Sequence, residues 1–169
     1  MSEIVVQKFG GTSVGSVERI DSVAEIIKNA SKSNKIVVVV SAMGGETNRL
    51  VDLAKAFGDE PNKREFDALV STGETVSSAL LTMALHSKGI KARSFSASQI
   101  SMRTTSSYSK AKILDVDAKK ILNVVDSDTI PIITGFQGVT EGGDVTTLGR
   151  GGSDTTAVAI AAQIAAIRC

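Results

Sequence analysis

Five β-branched residues in succession, Ile36-Val37-Val38-Val39-Val40, leave no polar alternate for a strand with one wet face. A run of that kind belongs inside a parallel sheet covered by helices on both sides. Parallel neighbours need crossovers, usually helical, and the flanking sequence supplies them. Ile4-Val5-Val6 reads as a short buried strand that leads through Gln7-Lys8-Phe9 into Gly10-Gly11-Thr12-Ser13-Val14-Gly15. From Ser16 the period changes: Val17, Ile20, Ala24 and Ile27 recur three or four apart, with Val23 and Ala30 alongside. Ser16 suits an N-cap and Glu18 a first turn. Strand, glycine loop and helix are the opening half of a βαβ unit, so the expected class is α/β with a mainly parallel sheet.

At 169 residues, 42% of them hydrophobic and 22% charged, the chain is long enough for one domain with a sizeable core. The first two strands each end in a glycine pair and hydroxyls, the second in Ser41-Ala42-Met43-Gly44-Gly45 with Thr47 and Asn48 beyond. In open α/β sheets that edge is where ligands bind. Ile130–Thr134, with Pro131 at its entrance, is another buried-type strand and ends in Gly135-Phe136-Gln137-Gly138. Glu141-Gly142-Gly143-Asp144 reads as a hairpin turn between Val139 and Val145. Then comes Thr146-Thr147-Leu148-Gly149-Arg150-Gly151-Gly152-Ser153-Asp154-Thr155-Thr156, a strand running into glycines, a cation, a hydroxyl and a carboxylate at a helix start. Consecutive glycines let backbone N–H groups converge on an anion, and the helix adds its positive end. The plainer reading is a strand–turn–helix joint in which Ser153 or Asp154 is only a cap.

Leu50, Val51, Leu53 and Ala54 start a helix, residues 58–62 are a loop, and residues 63–88 read as helical. There Phe66, Leu69, Val70, Val76, Leu80, Leu81, Met83, Ala84 and Leu85 are expected to face a core. The polar island Ser71-Thr72-Gly73-Glu74-Thr75 is either a break with Glu74 in solvent or part of a site. His86, the single histidine, suits the helix end. Residues 92–95 read as a strand, residues 96–109 as a hydroxyl-rich surface excursion with a flap as the alternative, and residues 117–125 as a short helix. Residues 157–167 are apolar all round except Gln163, which predicts a helix buried on more than one side. With only Arg168 and Cys169 after it, the sequence is expected to be a fragment, or to be covered by another copy or by the remainder of a larger protein.

The site groups sort by chemistry. Lys8 is the cation beside the first glycine pair, Asp154 the acid at the last helix, and Ser41, Thr47 and Ser153 small donors or acceptors. Glu74 and Arg150 are suited to the ammonium and the carboxylate of a zwitterion. Backbone N–H groups, a lysine and a residue fixing it are what phosphoryl transfer requires. There is no G-x-x-x-x-G-K-[ST], no H-R-D or D-F-G, and no zinc-spaced Cys/His cluster, and Asp154 spoils the third glycine of G-x-G-x-x-G. Nineteen basic against 18 acidic residues and no Trp argue against nucleic acid. No signal peptide or membrane-spanning apolar run is read, so no membrane and a cytoplasmic location are expected. Cys169 is the only cysteine, so no intrachain disulfide forms.

Val6-Gln7-Lys8-Phe9-Gly10-Gly11-Thr12-Ser13-Val14, Val40-Ser41-Ala42-Met43 with Thr47-Asn48, Ser71-Thr72-Gly73-Glu74, Gly135-Phe136-Gln137-Gly138 and Thr147-Leu148-Gly149-Arg150-Gly151-Gly152-Ser153-Asp154 together resemble the aspartokinases of the amino-acid kinase superfamily. The resemblance implies a three-layer αβα sandwich, here residues 1–169 as the N-terminal part of a catalytic domain, truncated on its C-terminal side. It implies ATP-dependent phosphorylation of the L-aspartate β-carboxylate, the first step towards lysine, threonine and methionine, with ATP and Mg²⁺ as cofactors. By the same resemblance Lys8 and Asp154 are catalytic, and Lys8, Phe9, Gly10 and Gly11 bind ATP phosphate. Ser41, Thr47, Glu74, Arg150, Gly151, Gly152 and Ser153 bind substrate, and no protein metal ligand is implied. The expected partners are L-aspartate, ATP, and further copies or the remainder of the enzyme. Members of the family continue past this point to grip the nucleotide base and commonly add regulatory domains, so the 169 residues alone are expected to show little or no activity. The competing readings are a kinase for another amino acid such as glutamate, and an inactive binding or assembly module.

Overall fold

The computed structural model describes residues 3–169. The chain runs β1 (Ile4–Phe9), α1 (Val17–Ala30), β2 (Lys35–Val40), α2 (Glu46–Lys55), α3 (Lys63–Val70), α4 (Thr72–Ser87), β3 (Ala92–Phe95), β4 (Arg103–Thr104), β5 (Ile113–Asp115), α5 (Ala118–Asp126), β6 (Ile130–Thr134), β7 (Gln137–Val139), β8 (Val145–Thr147) and α6 (Gly152–Gln163). Strands β1, β2, β6 and β3 lie side by side in that order, all parallel. Successive side chains of a strand point to opposite faces, so the valine run feeds two cores at once. Val37 and Val39 join Val6 and Ile133 against α5 and α6, while Val38 and Val40 join Val5 and Ile132 against α1 and α4. The result is a three-layer αβα sandwich.

Side-chain caps fix the starts of three of the six helices among the described residues. Ser16 caps α1 by accepting from Arg19 N, Asn62 caps α3 and Asp117 caps α5. In α1 the buried stripe is Ile20, Val23, Ala24 and Ile27, whereas Val17 is exposed. Between residues 63 and 87 the helical stretch is broken at Ser71, and Val76 and Met83 are exposed rather than in the core. Helix α6 differs from expectation as well. It ends at Gln163, packs one face on the sheet through Ala157, Ile160 and Ala161, and leaves Val158 in solvent. The chain then turns, and Arg168 pairs in parallel with Val5 on the outer side of β1.

A second, mixed sheet in the order β5-β4-β7-β8 stands beside the first. The β7–β8 hairpin forms as expected, with Val139 opposite Val145. Residues 96–109 are not a plain surface excursion. Ala97, Ile100, Met102 and Thr104 are buried, and β4 lies between β5 and β7. Serine-rich sequence concealed this, because its apolar residues are isolated and its strand is two residues long.

Candidate active site

Strands β1, β2 and β6 end at the same edge of the sheet, and a cleft of about 640 Å³ opens there. Lys8 stands on the α6 face of β1, and its Nζ meets Asp154 Oδ1 at 2.9 Å. Two groups 146 residues apart thus form an ion pair, with the lysine largely covered and the aspartate mostly exposed. Gly151, Gly152, Ser153 and Asp154 bring the positive end of α6 to the same wall. The first two glycine loops are packed together, since a Cβ on Gly11 would stand 2.9 Å from Ala42 O. That closeness brings Lys8, Gly11, Ser41, Gly44, Gly45 and Thr47 to one rim. Phe9 and Gly10 fall outside the lining. The Phe9 ring packs towards the α1 core, and the Phe9 carbonyl accepts from Ser41 N at 3.0 Å.

Glu74, in the polar island, is not in solvent. It lies in the first turn of α4, is only 3% exposed, and lines the cleft. Its Oε1 accepts from Ala42 N at 3.1 Å, whereas Oε2 has no partner. Burial pushes its pKa up from 4.5 to about 7, the Ala42 N–H offsetting part of the shift. Gly73 makes this possible: a Cβ there would meet Ala42 Cβ at 2.8 Å and push the helix off the second glycine loop. Ser77 Oγ adds a bond to Ser41 O at 2.6 Å. Arg150, which lines the same cleft, is exposed and has no carboxylate partner among the described residues.

Three residues that support the site were assigned no role from the sequence, although Phe136 and Gln137 lie in the Gly135-Phe136-Gln137-Gly138 motif. Phe136 lines the cleft at φ +68, an uncommon conformation for a side chain of its size. It is held by Thr156 Oγ1, which accepts from Phe136 N, and by Leu148 N, which donates to Phe136 O. Gln137 is buried and spans two layers, donating to Ser71 O at 2.6 Å and Thr75 Oγ1 at 3.2 Å while accepting from Thr134 Oγ1. Asp67 is fully buried and bonded to Ser109 and Thr147. For Asp67 the spacing was the available signal: Asp67, Val70, Ser71, Glu74, Ser77, Ser78, Leu81 and Leu85 form one buried stripe along α3 and α4.

Fold and cleft together define an αβα protein whose strand ends present a fixed lysine, a helix N-terminus and a separated carboxylate–guanidinium pair. The chain belongs to the amino acid kinase family, whose model matches residues 3–169. It is 55% identical over 167 residues to an aspartokinase of Geobacillus stearothermophilus, covering 98% of this chain and 41% of that protein. It is similar in structure to E. coli aspartokinase III in complex with aspartate and ADP, with a TM-score of 0.88 at 28% identity, covering 97% of this chain and 47% of the other. Aspartate kinase from Synechocystis matches with a TM-score of 0.82 at 44% identity, over 98% of this chain and 27% of that one. The chain therefore spans about two fifths of the length of the curated relative it matches.

Proposed function

We propose that this chain is the N-terminal part of the catalytic domain of an aspartate kinase, carrying the amino-acid and γ-phosphate side of its site. The reaction is transfer of the γ-phosphoryl group of ATP to the β-carboxylate of L-aspartate, giving 4-phospho-L-aspartate and ADP. One observation carries the reading: a buried carboxylate oxygen, Glu74 Oε2, is left without a partner in the wall of a cleft. A buried acceptor of that kind calls for a donor from the ligand, and an ammonium group supplies charge as well. Arg150, unpaired in the same cleft, suits a carboxylate of the same molecule.

In this mechanism a β-carboxylate oxygen attacks the γ-phosphorus and the bond to the ADP oxygen breaks. Lys8 neutralises charge on the phosphoryl oxygens, and Asp154 fixes the ammonium of Lys8 in place. N–H groups of Gly11 and of the α6 start are donors to the same oxygens, while Ser41, Thr47 and Ser153 complete the substrate's hydrogen bonds. Among the described residues, Asp154 and Glu74 are the acids that line the cleft. Two separated carboxylates do not make a cage, so Mg²⁺ fits here as an ion held mainly by nucleotide phosphate oxygens, with its charge offsetting that of the phosphates. Calorimetric titration with L-aspartate and L-glutamate tests the proposal. L-aspartate is expected to bind at least tenfold more tightly than L-glutamate, and Glu74→Gln to abolish most of that binding. Equal affinity for the two acids would overturn the choice of substrate, and undiminished binding by Glu74→Gln the role of the buried carboxylate.

A further inference from the structure

A second buried carboxylate, Asp67, takes no part in the scheme above. It is 0% exposed, on α3, and it makes no ion pair among the described residues. Its oxygens are instead saturated by two separate segments. Ser109 N donates to Oδ2 at 2.8 Å and to Oδ1 at 3.0 Å, and Ser109 Oγ donates to Oδ1 at 3.1 Å. Thr147 N donates to Oδ2 at 2.8 Å and Thr147 Oγ1 to Oδ1 at 2.9 Å. Thr147 ends β8 and is three residues from Arg150. Ser109 sits at φ +67, a left-handed conformation that a serine does not take by preference. The two segments also touch each other, for a Cβ on Gly149 would stand 3.3 Å from Ser109 O. One carboxylate therefore holds both sides of the contact on which the Arg150 loop rests.

The same helix pins the other end of the hairpin. One turn earlier, Arg64 Nε and Nη2 donate to Asp144 Oδ1 at 3.0 and 2.9 Å, and Tyr108 Oη donates to Asp144 Oδ2 at 2.9 Å. Helix α3 thus fixes β8 at both ends, Arg64 through Asp144, the residue just before the strand, and Asp67 through Thr147, its last. Only the Asp67 end is dry. A fully buried carboxylate with every lone pair used is an orienting device, because displacing either partner strands charge in the core.

We propose that Asp67 is a positioning residue: by binding Thr147 and Ser109 together it sets the Arg150 loop at the distance from Glu74 that a four-carbon amino dicarboxylate requires. This rests on the L-aspartate reading given above. Asparagine in place of Asp67 can keep an oxygen for the two backbone N–H groups and turn its amide towards the two hydroxyls, whereas alanine leaves both N–H groups unpaired.

The test is L-aspartate affinity by calorimetry on the 169-residue chain, below the melting temperature of each variant. The Glu74 carboxyl is followed in parallel by ¹³C NMR. Asp67→Ala is expected to bind L-aspartate at least tenfold more weakly while Glu74 titrates as in wild type, and Asp67→Asn to recover most of the affinity. Thr147→Val, which removes one hydroxyl and keeps the carboxylate, is expected to weaken binding several-fold and decides the matter if Asp67→Ala does not fold. Wild-type affinity in folded Asp67→Ala, or in Thr147→Val, overturns the positioning role alone. No binding of L-aspartate by wild type overturns the substrate reading and this inference with it.

Discussion

Glu74 has to be desolvated to sit behind the second glycine loop and ionised to hold an ammonium group, and the two requirements conflict. Burial raises its pKa from 4.5 to about 7, so between those values the folded chain keeps a proton that the unfolded chain has lost. Stability is therefore greatest below pH 4.5 as far as this group is concerned and falls as pH rises towards 7, by about 3 kcal/mol at most. Glu74→Gln has the same shape and cannot ionise. It is expected to match wild type in urea denaturation at pH 5 and to exceed it at pH 8. Binding runs the other way: an ammonium ligand needs the ionised form, so L-aspartate affinity should rise about tenfold from pH 6 to pH 8, with proton release at the lower end. A flat profile in wild type would mean that the ligand's ammonium does not rest on Glu74. Lys8 poses a simpler case. Its ion pair with Asp154 is partly exposed and contributes little to stability. In a chain continued to the length of its relatives, Lys8→Ala is expected to lower kcat at least a hundredfold with the melting temperature within a few degrees of wild type. Near-normal turnover would remove it from the chemistry.

At the scale of elements, the hairpin that carries the Arg150 loop is seated by close packing against β4. A Cβ on Gly138 would overlap Thr104 Cγ2 and stand 2.8 Å from Thr146 Oγ1, at a place where those two hydroxyls already bond each other at 2.6 Å. Gly138→Ala is expected to destabilise the chain by roughly 2 kcal/mol. Thr104→Ser removes the overlapping methyl, so the double variant should recover part of the loss in a thermal melt; additive losses would place the strain elsewhere. None of this packing is legible in the sequence, where β4 is two residues and β7 and β8 three each. Strands that short have no period to detect. The parallel sheet was legible for the opposite reason: residues 36–40 and 130–133 are unbroken apolar runs, and both are buried throughout. Although the two do not share one sheet, Lys8 being on β1 of the parallel sheet and Asp154 following β8 of the mixed one, their meeting was foreseeable from the glycine-bearing strand ends beside each. Asp67, Gln137 and the burial of Glu74 were not, since a hydrophobic pattern counts polar residues as solvent-facing. Here a satisfied polar residue occupies the inner face of α3 and α4, and only counting it as buried restores the helical period.

For the whole molecule, the distribution of function follows from which surfaces the fold closes. On the side of Glu74 and Arg150 the cleft has walls from α2, α3, α4 and the β8 loop, and its supports are buried. On the far side of the Lys8–Asp154 pair the surface is open: Asp154, Thr155 and Val158 of α6 are exposed, and among the described residues β1 has only the short Arg168 pairing along its outer edge. The stretch from residue 63 to 87, α3 and α4 joined at Ser71, is long and apolar enough to cross a bilayer by length and composition, yet half of its most apolar window is buried in this fold and Glu74 lies within the stretch. It is spent on the closed side of the cleft. A nucleotide held only through its phosphates gains charge–charge contact but buries no base, and the apolar area of a purine contributes much of the affinity that such sites reach. The 169-residue chain is therefore expected to bind L-aspartate, to bind ATP weakly with a strong dependence on salt, and to release ADP at well under one hundredth of the rate of a full-length relative assayed beside it. Turnover comparable to the relative's would show that the base is gripped by residues already on this chain, and would move the nucleotide side of the site onto the face between α6 and the outer edge of β1.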